Sequence, residues 1–166
     1  MSRYSFIRSD LLPALQLSLR AAVAAILALV AAQLLQLQHP LYAMISAVIV
    51  TDLETTQTRK LALPRLVGTL IGSGVGAAVD TLLPTNLWTI GTGIMIAMFV
   101  SHLISLPAAA RVAGYVCGIV LLDHGDSPWS YGLFRMIETA LGIVAAVCVS
   151  LVPKLIPPAT LKRLSD

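Results

Sequence analysis

The chain has 166 residues, of which 57% are hydrophobic and only 11% charged, with a mean hydropathy of +0.87 and a formal charge of +3. A soluble domain carries about 25% charged residues, so the composition excludes a soluble globule and a disordered chain, and two cysteines exclude a disulfide framework. The basic excess, 11 Lys+Arg against 8 Asp+Glu, is scattered singly between apolar runs, which points to a membrane and away from nucleic acid.

Crossing the hydrocarbon layer takes about 20 apolar residues. Four runs qualify: Leu15 to Leu37, Leu61 to Leu83, Leu87 to Leu106 and Gly132 to Val152. The first is read as a membrane span and not as a cleaved signal, because the run is long and no clear cleavage site follows it. Two shorter runs, Leu41 to Thr51 and Ala108 to Leu122, lie between them. Pro40 and Pro107 suit the first position of a helix, where the missing N–H is no loss, and so begin the second and fifth segments. No alternating strand pattern of barrel type is present. The expectation is an all-α polytopic membrane protein, residues 1–166 forming a single transmembrane domain of six helices, with helices 2 and 5 short and residues 154–166 a short cytoplasmic tail.

Basic residues favour the cytoplasmic side of short loops. With six crossings and the N-terminus inside, the inner side holds Arg3, Arg8, Arg20, Arg59, Lys60, Arg65, Arg111, Lys154, Lys162 and Arg163, and the outer side only Arg135. This 10 to 1 split supports cytoplasmic N- and C-termini and an even helix number.

An internal repeat divides the chain at about 14–84 and about 87–153. Arg65-Leu-Val-Gly-Thr69-Leu-Ile-Gly72 matches Arg135-Met-Ile-Glu-Thr139-Ala-Leu-Gly142, and Asp52 after the second segment matches Asp123 after the fifth. Three crossings per unit invert the second copy, the inverted-topology duplication found in transporters. Short segments at corresponding places in two repeats point to a binding site or path.

Several residues are candidates for that path. Arg135 and Glu138 are three apart and share a helix face, and an intramembrane carboxylate is a functional candidate by default. Glu138 is a candidate ion or proton switch and Arg135 an anion contact. Arg65, the repeat partner of Arg135, has Gly68 where the second copy has Glu138, so it lacks that carboxylate. With Arg111 it can offer an anion planar, bidentate hydrogen bonds. Asp52 closes the second segment. Asp123, His124 and Asp126 form an acidic loop that lacks the ligand spacing of a metal site, and His39 and His102 read as interfacial polar residues at helix ends. Gly68, Gly72 and Gly76, and again Gly114 and Gly118, recur every four residues, a pattern that lets helices approach closely. Cys117 and Cys148 are solitary. No nucleophile–base pair is visible, so neither an enzyme nor a cofactor is expected.

His39-Pro40-Leu-Tyr42-Ala43-Met-Ile45-Ser46-Ala-Val-Ile-Val-Thr51 resembles the second-helix signature of the fusaric acid resistance and aromatic acid exporter superfamily, and Arg65 to Gly72 resembles its third-helix signature. Arg135 to Gly142 is similar to the corresponding stretch of the second triplet. The resemblance implies six-helix units of the bacterial inner membrane that export organic anions, often aromatic carboxylates, with Tyr42 and Ser46 on the path. It is related in architecture to plant aluminium-activated malate channels, which work as dimers. Relatives often carry two membrane units, so this chain is expected to form a homo-oligomer, a dimer first, in membrane lipid. The other reading is a non-transporting scaffold or accessory subunit.

Overall fold

The computed structural model describes residues 2–123 and 127–152, with side chains from residue 13 onward. It contains six helices in the expected order: α1 (Ser2–Leu34), α2 (Pro40–Val50), α3 (Thr55–Leu82), α4 (Leu87–Leu103), α5 (Pro107–Asp123) and α6 (Pro128–Leu151). Pro153, His124, Asp126 and the tail from 154 lie outside the described residues.

Among the described residues, three helices are long and apolar enough to cross a membrane: the Pro13–Leu34 part of α1, α3 and α6. This corrects the expectation of four long spans, because α4 stops after 17 residues. The apolar run continues to Leu106, but the backbone does not. Ser105 takes a left-handed φ of 60°, and the N–H groups of Ser105 and Leu106 fold back to the carbonyls of His102 and Ser101. Such a left-handed residue closes a helix by satisfying its last carbonyls, and Pro107 then starts α5. The end of α1 is built the same way, with Gln36 at φ 51° and the N–H groups of Gln36 and Leu37 on the carbonyls of Gln33 and Ala32.

Large apolar side chains cover the exterior, and four charged side chains are buried among the helices. Leu15, Ile26, Leu70, Met95, Phe99, Leu133 and Val144 are exposed, while Arg20, Arg65, Arg135 and Glu138 are buried. That distribution suits a lipid solvent, in which a charge is tolerated only inside the bundle. Trp88 and Trp129 stand exposed at the starts of α4 and α6, where amphipathic indoles anchor helices at a membrane interface.

Glycine seams set the packing. A Cβ on Gly68 would strike Ala109 and Val112, one on Gly72 would strike Ala113 and Val116, and one on Gly76 would strike Val120. All three press α3 on α5, as the four-residue ladder predicts. Gly114 and Gly118 instead face Met98 and Ile94 of α4. On the other side Gly142 of α6 lies against Ala43, Ser46 and Ala47 of α2. Between these helices and α1 lies a core of Ala24, Ala28, Ala32, Ala43, Ala47 and Val149. Arg20 staples the end of this half: its Nη1 donates to the Leu53 carbonyl at 2.8 Å and its Nη2 to the Val152 carbonyl at 2.9 Å. It thereby satisfies carbonyls left over beyond α2 and α6.

Candidate functional site: a buried polar centre at the start of α2

The buried face of α6 carries Tyr131, Arg135, Glu138, Thr139 and Gly142, a spacing of three and four that places them on one stripe. α2 packs along the lower part of this stripe. Its length is only 11 residues, roughly 16 Å at 1.5 Å per residue. It therefore begins midway along α6, beside Glu138. The α2 cap position is His39, which makes no side-chain capping bond and is followed by Pro40. In place of a side-chain cap from its own segment, Oε1 of Glu138 accepts the His39 backbone N–H at 2.8 Å. A carboxylate at a helix N-terminus gains from both the free N–H and the helix dipole.

Arg135 lies one turn before Glu138. Its guanidinium stacks on the Tyr42 ring with the central carbon 3.0 Å from the ring centroid, and lies 5.9 Å from that of Tyr131. Cation–π attraction of this kind is worth about 2 kcal/mol when desolvated. Arg65 reaches the same junction from α3. Its Nε and Nη2 donate to Ser46 Oγ at 3.3 and 3.1 Å, and its guanidinium carbon lies 5.3 Å from the centre of the Tyr115 ring. Arg65 and Arg135 lie near enough to repel each other.

Saturation is incomplete. Nη1 of Arg65, Nη1 of Arg135, Oε2 of Glu138 and Nδ1 of His39 are buried and have no hydrogen-bond partner. Arg135 and Glu138 share the face that their spacing predicts and feel each other's charge, but they form no salt bridge. The carboxylate turns to α2 and the guanidinium to the tyrosines. Among the described residues, neither arginine is ion-paired with a carboxylate. A buried charge is costly unless it is paired and hydrogen-bonded, and the unpartnered Nη1 atoms leave both guanidiniums able to donate to an anion.

The structure thus brings together Arg65, Arg135, Glu138, Tyr42 and Ser46 as predicted. It leaves out two others. Arg111 is exposed on α5. Asp52 sits in the link after α2, where Oδ1 accepts the Glu54 N–H at 3.1 Å and its own N–H donates to Thr58 Oγ1 at 3.1 Å. His39 stands at a helix end, as the cap of α2. It is half-buried with its ring on Tyr42 and Tyr131, because α2 begins at mid-length of α6. His102 is exposed, with Nδ1 2.9 Å from the Met98 carbonyl oxygen. Cys117 and Cys148 are free, the first buried and the second exposed. Sequence reading missed Tyr131, although it stands four before Arg135 and seven before Glu138 on one face. It also missed the packing role of Gly142, the repeat partner of Gly72.

Among the described residues, the charged side chains of the centre are buried. Arg65 is 4% exposed, Arg135 3% and Glu138 0%. Two apolar grooves lie elsewhere. One of about 160 Å³ between α3 and α6 is lined by Leu70, Ala77, Leu133 and Met136 among others. The second, of about 230 Å³, is lined by Val23, Leu27, Cys148, Val149 and Val152. Among the described residues, the charged groups of the centre are enclosed by helix packing.

An apolar exterior, helices of membrane-crossing length and a buried cationic centre define a multi-pass helical membrane protein. The family described as fusaric acid resistance protein-like matches residues 26–149, a stretch that holds α2 to α5, the end of α1, most of α6 and every residue of the centre. The chain belongs to that family, which is one of membrane transport and resistance and not of enzymes. Comparison with curated proteins and with solved structures gave no match.

Proposed function

We propose that the chain is an exporter or channel for organic anions, aromatic carboxylates first, working as an oligomer in the bacterial inner membrane. The observation that carries this reading is the pair of buried arginines, each with an unpartnered N–H and without a carboxylate mate, at one helix junction. A carboxylate offers two acceptor oxygens in the geometry that a guanidinium fork matches, and Tyr42, Tyr131 and Tyr115 supply faces for an aromatic ring. Because the charged groups of the centre are enclosed by helix packing, transport requires helix movement or a second copy, and a homodimer is the first assembly to test. Family membership favours transport over a non-transporting scaffold.

Pairing between helices supports the inverted repeat. Exchanging α1, α2 and α3 for α4, α5 and α6 maps the packed pairs onto one another, α3–α5 onto α2–α6 and α1–α2 onto α4–α5. Gly72 against Ala113 and Val116 answers to Gly142 against Ala43 and Ser46, 70 residues apart throughout. The rising order of contacts makes α3 parallel to α5 and α2 parallel to α6. The short link from α2 to α3 reverses the chain, so the exchange inverts direction. With both termini cytoplasmic, cysteines introduced at Ser2 and Ser165 should resist a membrane-impermeant label applied from the periplasm. Labelling of either one removes this topology.

The transport reading is tested in proteoliposomes with a panel of aliphatic and aromatic carboxylates. Wild type is expected to move at least one of them. Arg65→Gln and Arg135→Gln should each reduce the rate by about tenfold or more, the equivalent of 1.4 kcal/mol of lost anion interaction. Arg111→Gln, on the exposed face, should stay within about twofold. Equal losses for all three variants, or no transport of any carboxylate by wild type, would sink the anion centre.

A further inference from the structure

Asp123 is the last residue of α5 and is exposed. The helix dipole opposes a negative charge at a C-terminus, so α5 itself gains nothing from it. Asp123 instead holds Tyr131 in the first turn of α6, whose hydroxyl donates to its Oδ2 at 3.1 Å. A phenol has one proton to give, and Tyr131 gives it to Asp123. At the 3.3 Å contact between the Tyr131 and Tyr42 hydroxyls, Tyr42 is therefore the donor. The Tyr42 side chain is thus held at both ends, by the backbone of α2 and by its own hydroxyl. Its ring face carries the Arg135 guanidinium, with the central carbon 3.0 Å from the centroid. The His39 ring makes a T-shaped contact with Tyr131, centroids 5.2 Å apart, and steadies the acceptor. Every step from Asp123 to Arg135 is a direct contact, and Tyr131 in the middle is buried.

We propose that Asp123 is a positioning residue of the anion centre: through the Tyr131 and Tyr42 hydroxyls it fixes the Tyr42 ring against Arg135, and with it the edge that the guanidinium offers to an anion. Hydrogen bonds in series polarise one another, so the line does more than hold a ring still. A Tyr42 hydroxyl that donates leaves its ring richer in electrons, and the ring face is what attracts the cation. The charge of Asp123 is felt at Arg135, which makes it a remote counter-charge. Tyr42 takes the face of the guanidinium, while Nη1 on its edge is buried and has no partner. An arginine held by its face keeps the N–H groups of its edge for carboxylate oxygens. The line belongs to one half of the molecule. At the repeat spacing, Tyr42 answers to Val112 and Tyr131 to Leu61, neither of which has a hydroxyl. Asp52, the counterpart of Asp123, turns its carboxylate to the Glu54 N–H. Arg65 is held by Ser46 and Tyr115 in place of such a line.

The inference rests on Arg135 being an anion contact, and its first readout uses no substrate. Protein with isotope-labelled arginine, held in lipid nanodiscs, gives a nuclear magnetic resonance signal for the Arg135 Nε–H, assigned by its loss in Arg135→Gln. The Tyr42 ring current displaces that proton upfield, and Tyr42→Leu shows where it falls without the ring. Asp123→Ala, an exposed change that the α5 dipole favours, should move the signal toward the Tyr42→Leu position. Tyr131→Phe should do the same. Asp123→Ala added to Tyr131→Phe should then move it no further, because two members of one chain of contacts are non-additive. The Arg65 signal should stay in place. In proteoliposomes Tyr131→Phe, which changes no charge, should raise the KM of a transported carboxylate about threefold or more, with the maximal rate within about twofold. An Arg135 signal at the wild-type position in both variants overturns the inference. A further shift in the double variant, or an equal shift of Arg65, overturns it too. An unchanged KM beside a displaced signal removes the link to the anion. A wild type that moves no carboxylate fails the transport reading instead, and the Arg135 signal still decides whether Asp123 acts through the tyrosines.

Discussion

Gly142→Ala is expected to destabilise the protein by about 3 kcal/mol, at or above the usual range for overpacking a well-packed interior. The added methyl would lie 2.8 Å from Ser46 Cβ and 2.9 Å from the Ala47 nitrogen, and would meet the Ala43 carbonyl oxygen more closely still. Two of these three atoms are backbone, so no rotamer change relieves the clash, and α2 as a whole must move. Gly74→Ala is the control. Nothing lies within 4 Å of its Cβ position, and Ala in place of an unconstrained helical Gly stabilises by roughly 0.5–1 kcal/mol. Thermal unfolding in detergent should therefore separate the two in opposite directions. Equal midpoints would mean that α2 does not rest on Gly142. The same substitution has a functional consequence, because the α2–α6 approach also carries Ser46 to Arg65 and Tyr42 to Arg135. A destabilised Gly142→Ala chain that still folds should show weaker anion binding, since both guanidinium groups lose the partners that hold them.

Helix identity was legible in the sequence because membrane spans are set by a one-dimensional quantity, the length of an apolar run between breakers. His39-Pro40, Pro107 and Ser127-Pro128 punctuate the chain, and α2, α5 and α6 begin at the prolines. Hydropathy does not report where a run of apolar residues stops being helical. Gln36 and Ser105 adopt left-handed φ without being glycine, so the end of α4 was placed three residues too far along. The charged centre was half legible. Arg65, Arg135 and Glu138 stand out because charge inside an apolar helix demands a reason. Their partners do not: Tyr131 is unremarkable in composition, and the contact of His39 with Tyr131 shows only once α2 is seen to begin at mid-length of α6. The pairing of Arg135 with Glu138 was inferred from helix spacing, which fixes a shared face but not which way each side chain turns. The tyrosine faces and the α2 N-terminus compete for the two groups and win.

Glu138→Gln tests whether the centre is a switch or only a fastener. The fastener is the bond from His39 N–H to Oε1. A glutamine side chain keeps that acceptor with the same shape, so folding should survive with a loss of about 1 kcal/mol, the difference between a charged and a neutral hydrogen bond. Glu138→Leu removes the acceptor and leaves a buried N–H unpaired, which costs about 1–3 kcal/mol, and it should be the less stable of the two. Function follows charge and not shape. When ionised, Glu138 sets a negative charge near Arg135, and neutralising it leaves the arginine fully available to an external anion. Glu138→Gln should therefore bind a transported carboxylate more tightly at neutral pH, on the order of tenfold. Because glutamine imitates the protonated acid, wild type should approach the variant as pH falls, while the variant stays flat over the same range. The measurement is carboxylate binding and transport across a pH series for both proteins. A well-folded Glu138→Gln protein whose affinity and pH profile match wild type would leave Glu138 as the clasp of α2 alone, and would place the anion centre on Arg65 and Arg135 without it.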